Sequence, residues 1–61
     1  MQIPQSPFVL LDDQDGRRHA IRRNVIIALV EDPPGSVTVL LAGGRLIMLD
    51  QDLATALATI A

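Results

Sequence analysis

Val25-Ile-Ile-Ala-Leu-Val30, then Glu31-Asp32-Pro33-Pro34-Gly35, then Val37-Thr-Val-Leu-Leu41: the reading of this stretch decides the fold. Val25, Ile26 and Ile27 are three β-branched residues in a row. Such side chains lose rotamer freedom against the preceding turn of a helix and pack well on a pleated surface. A helix over 17–32 is the other reading, with Ile21, Val25, Ala28 and Leu29 as its stripe, and the β-branched cluster argues for strand instead. Two prolines and a glycine then reverse the chain, so the second apolar run returns as a neighbouring strand.

The same grammar extends in both directions. Upstream, Phe8-Val-Leu-Leu11 is a short apolar run, and Asp15-Gly16 marks a hairpin because both residue types tolerate positive φ. Arg17-Arg-His-Ala-Ile21 is the return strand. Downstream, Gly43-Gly44 is another turn, and Arg45-Leu-Ile-Met-Leu49 returns from it. Met1 to Pro7 carries two prolines and reads as an extended arm.

The last segment changes period. Asp50 is placed to cap a helix over Gln51 to Ile60, and Asp52 adds negative charge near the positive end of its dipole. Leu53, Ala56, Leu57 and Ile60 share one face. So short a helix is marginal alone in water and must be held by packing. The expected architecture is one mainly β (α+β) domain over 8–61. It is a small antiparallel sheet or barrel of about five strands, a meander of hairpins, with one C-terminal helix.

Size bounds what such a domain can do. A chain of 61 residues buries only about 60% of the surface it exposes when unfolded. There is no cysteine and only one histidine, His19, so disulfides and a cysteine- or histidine-rich metal site are excluded. No cofactor is implied. Hydrophobic residues make up 49% of the chain, which is too apolar for disorder. The longest apolar run, Val25 to Val30, is far short of the ~20 residues that span a bilayer. Met1 to Pro7 lacks a basic signal-peptide start, so a cytoplasmic location is expected.

The strands do not alternate apolar with polar, as a one-sided sheet does. Phe8 and Leu10 oppose Val9 and Leu11. Ile26, Ala28 and Val30 oppose Val25, Ile27 and Leu29. Leu46 and Met48 oppose Ile47 and Leu49. One short helix covers one face, so the other needs barrel closure or another chain. Each buried Leu, Ile or Val is worth about 1.5–3 kcal/mol, and four or five left in water rival the whole stability of a domain this small, roughly 5 kcal/mol. Homo-oligomerisation or a protein partner is therefore expected, with Val25, Ile27, Leu29 and Leu40 as candidate interface residues.

Other chemistry finds less support. Arg17, Arg18, Arg22 and Arg23 supply four of the five basic residues. They form a candidate anion or nucleic-acid patch, which makes a small nucleic-acid-binding regulator the alternative function. No aromatic lies beside them for base stacking, and the net charge is −2, so ordinary pairing with Asp12, Asp13 and Asp15 competes with that reading. Asp13-Gln-Asp-Gly16 fails the calcium-loop pattern, since Leu11 and Arg22 fall where ligands are needed. Ser6 and Ser36 lack a nucleophile-elbow context. A non-catalytic module is expected.

From Asp15 onward the chain resembles the FlbD-like group of small bacterial flagellar and swarming-motility proteins. The matching stretches are Asp15-Gly16, Asn24-Val-Ile-Ile, Glu31-Asp32-Pro33, Val37-Thr-Val-Leu-Leu and Gly44-Arg-Leu-Ile-Met-Leu. The resemblance implies strands joined by turns and a short terminal helix. This helix is rich in alanine and threonine where that group has lysine and glutamate. The strand layout is also similar to the LytTR-type DNA-binding domain, which would imply loop-based reading of duplex DNA. That domain is longer and more basic.

Overall fold

The computed structural model describes residues 7–61, so the arm expected over 1–7 lies, apart from Pro7, outside the described residues. Strands β1 (Phe8–Asp12) and β2 (Arg18–Arg22) form one antiparallel hairpin. A single 3-10 turn (Arg23–Val25) leads into β3 (Ile26–Glu31), β4 (Val37–Leu41) and β5 (Leu46–Leu49), an antiparallel sheet in the order β3-β4-β5. Helix α1 (Leu53–Ile60) follows and packs against β1 and β3. No ladder joins the two sheets, so the barrel is not closed. The helix considered over 17–32 shrinks to that one 3-10 turn, and Val25 lies in the turn rather than in β3.

Turn chemistry fixes the registers. In the first hairpin the Gly16 N–H donates to the Asp13 carbonyl (3.1 Å) and the Asp13 N–H to the Arg17 carbonyl (2.9 Å). Gly16 has φ +82° and no non-glycine residue among those described has positive φ. The loop is thus three residues long with glycine in the left-handed position. Asp15 does not share the positive φ that the Asp-Gly pair suggested.

The core sits between the sheets. Val9 and Leu11 of β1, Val37, Val39 and Leu41 of β4, Ile47 and Leu49 of β5, and Ala56 of α1 are buried. Ile21, Val25, Ile26, Leu29, Leu53 and Ile60 pack around them, half-buried. Leu57, on the expected helix stripe, is instead 51% exposed. The helix starts at Leu53, and the Asp52 carboxylate accepts the Thr55 N–H at 2.7 Å. Asp52, not Asp50, is therefore the cap, and the helix is two residues shorter at its start than the Gln51 expected.

A bulge corrects the face assignment in β3. Ile26 lies opposite Leu41 but Ala28 opposite Leu40, so Ile27 is the extra residue. An inserted residue inverts the alternation beyond it. Ile26 and Leu29 consequently share the core side with Leu41 and Val39, while Ala28 and Val30 share the outer side with Leu40 and Thr38.

Replacing the fully buried Leu49 by alanine is expected to cost about 2–5 kcal/mol. Leu57→Ala, on the exposed side of α1, should change stability by about 0.5 kcal/mol or less. Urea denaturation of both variants beside the parent checks the contrast.

Candidate functional site

The outer face of the β3-β4-β5 sheet is built by register. Ala28, Leu40 and Leu46 form one cross-strand row, and Val30, Thr38 and Met48 the next. None of the six side chains carries a charge. Ile27 is 64% exposed, Leu46 60%, Val30 55% and Met48 43%, so this face is an open apolar surface. Asp32 and Asp50, both exposed, continue the β3 and β5 rows at one end of it. The opposite end is the uncharged turn Ala42–Gly44.

Of the residues singled out in the sequence, the structure puts Leu40 in the middle of this face, half-buried. Ile27 stands exposed at the bulge beside it. Val25 and Leu29 are elsewhere, packed against the core. Leu46, Met48 and Val30 complete the surface and were not singled out. Their signal was the uniform apolarity of their strands; what hid them was the choice of which parity faces out.

The arginines do not converge. Arg18 pairs with Asp12 across the hairpin (3.0 Å) with both side chains well exposed, an arrangement worth little net energy in water. The Arg22 guanidinium lies 5.3 Å from the Phe8 ring centre, the geometry of a cation–π contact. Arg23 turns the other way, and its Nε donates to the Ile60 carbonyl at 2.7 Å. That bond ties the 3-10 turn to the C-terminal end of α1, where the helix dipole favours a cation. Arg17 donates its backbone N–H to the Asp13 carboxylate at 2.9 Å.

Asp13 organises the first loop. One carboxylate oxygen accepts the Asp15 and Arg17 N–H groups, each at 2.9 Å. The other lies 2.7 Å from His19 Nε2. An ionised carboxylate only accepts, so Nε2 carries the proton. These bonds hold the Asp13 carboxyl below its ordinary value of 3.8, the His19 hydrogen bond being the largest cause. The Thr55 bonds do the same for Asp52. Both oxygens of Asp13 are thus engaged in shaping the loop.

A second feature is a groove of about 350 Å³ between β2 and β5. Arg18, His19, Ala20 and Ile21 form one bank, and Arg45, Leu46 and Ile47 the other. At its end the Gln14 N–H donates to the Met48 carbonyl (2.9 Å), pinning the first loop to β5.

No family model, no curated protein and no solved structure matches this chain. Among the described residues no helix is long and apolar enough to cross a membrane.

The depressed carboxyls give stability a direction with pH. A carboxylate with lowered folded pKa contributes fully above its unfolded value, here 3.8, and the contribution is lost as pH falls through the folded value. Thermal melts from neutral pH down to about pH 2 should begin to fall below pH ~4. Asp13→Ala should lower Tm at neutral pH and flatten that acid limb.

Proposed function

We propose that this chain is a non-catalytic interaction module that pairs with a second copy of itself through the outer face of β3-β4-β5. The observation that carries the reading is the contiguous uncharged surface of Ala28, Val30, Leu40, Leu46 and Met48, largely open to water. A patch of this kind on a small domain marks an interaction site. With both carboxylates, Asp32 and Asp50, at one end, two copies packed with strands running in opposite directions keep the acidic ends apart. The opposite choice would stack them. A two-fold pair of that kind uses the same patch twice. A standard interface of about 800 Å² per partner would occupy under a fifth of the 4546 Å² the single chain exposes.

Three features weigh against the alternative of nucleic-acid binding: the dispersal of the arginines, their engagement with Asp12, Phe8 and Ile60, and the net charge of −2. The resemblance to the FlbD-like group supplies a setting, a small bacterial motility accessory that acts by contact rather than by chemistry.

Light scattering coupled to size exclusion at micromolar concentration should give twice the 6.6 kDa chain mass. Leu46→Asp should give a folded monomer, because Leu46 is 60% exposed and carries no core packing. Leu29→Asp should instead unfold the chain, since Leu29 packs against the core. A parent chain that stays monomeric overturns the reading.

A further inference from the structure

The groove between β2 and β5 is bounded by two strand edges that, among the described residues, carry no ladder toward each other, and this follows from the registers. The hydrogen bonds Asp13 to Arg17 and Arg23 to Pro7 fix which pairs of the first hairpin exchange backbone bonds. They are 13/17, 11/19, 9/21 and 7/23. The N–H and C=O groups of Arg18, Ala20 and Arg22 therefore point away from β1. Likewise the Leu41 N–H donates to Arg45, so 41/45, 39/47 and 37/49 are the bonded pairs with β4. The backbone groups of Leu46 and Met48 then point away from β4. No ladder joins β2 to β5, and the Met48 carbonyl is taken by Gln14.

Two such edges facing one another across a groove form a template for an added strand. The walls select its side chains. Facing inward are Ile21 and Ile47, with Leu41 at the base and His19 turned to Asp13. Facing outward on β2 are Arg18, Ala20 and Arg22; Arg45, opposite Leu41 and two residues before Ile47, is on the inward side at the end of the groove. The charged residues lining this stretch of the groove, Arg18 and Arg45, are both cationic. Arg18 has only its exposed pair with Asp12 to give up. Asp15 lies beyond, in an adjoining hollow at the loop end.

We infer that this groove binds an extended segment of a partner protein in which apolar residues alternate with acidic ones. The segment adds a strand between β2 and β5, with its apolar side chains toward Ile21 and Ile47 and its carboxylates on the outward face beside Arg18. This site adjoins the outer face of β3-β4-β5 along β5, where Leu46 belongs to both, and occupying it joins the two sheets through the added strand.

The test uses the full chain and three labelled synthetic peptides: Val-Glu-Val-Glu-Val-Glu-Val, its lysine counterpart, and the glutamate peptide N-methylated at alternate amides. Fluorescence anisotropy should show saturable binding of the first alone. Arg18→Glu, an exposed substitution, should weaken that binding by about tenfold or more. Amide exchange read by NMR should show new protection at Ala20 and Leu46 in the complex. Equal binding of the N-methylated peptide, or no binding of the glutamate peptide at millimolar concentration, overturns the inference. So does an Arg18→Glu chain whose own mass changes while peptide binding does not, because the groove would then join copies of this chain.

Discussion

One constraint governs this molecule: a β-strand presents side chains to both sides, and the described residues supply cover for one. β4 shows it most clearly. Val37, Val39 and Leu41 are buried between the sheets, while Thr38 and Leu40 from the same strand lie on the side with no second layer. Among the described residues the first hairpin and α1 make up the covering layer, and both lie on the inner side. The apolar side chains on the outer side have no covering layer among the described residues.

The covering layer is itself held by a few specific ties. The Gln14–Met48 bond pins the first loop to β5, and the Arg23–Ile60 bond pins the 3-10 turn to the end of α1. Ala56 is small enough to bring the helix close to the core. These ties secure the first hairpin at its ends, and among the described residues no strand pairs with its β2 edge. The opening between β2 and β5 is thus a consequence of where the layers are fastened. A hairpin and a three-stranded sheet whose strands run four to six residues, joined by short connections, do not reach around to meet.

Much of the architecture was legible along the chain. The turn at Pro33-Pro34-Gly35 and the Gly43-Gly44 turn place the strands because each acts through local backbone preference, and the β-branched cluster marks β3 although Val25 itself falls in the preceding 3-10 turn. Helix existence was legible for the same reason, but its cap moved from Asp50 to Asp52, since either aspartate satisfies the local pattern and packing chooses between them. The outer apolar face was legible as a surplus of apolar β-surface and not as a set of residues. Leu40 and Ile27 lie on or beside it; Val25 and Leu29 do not, and Leu46, Met48 and Val30 were passed over.

What the residues by themselves determined is therefore the inventory: strand and turn positions, a terminal amphipathic helix, no thiols, and more hydrophobic strand surface than one layer can hide. Three matters were left to tertiary structure. They are which parity of β3 faces inward, that β2 and β5 remain apart, and that the arginines scatter to Asp12, Phe8 and the helix end. The reason is physical. Local preferences act over a few bonds, whereas a single extra residue at Ile27 exchanges the two faces of a strand, and only the packing of the partner layer sets the energy of that exchange.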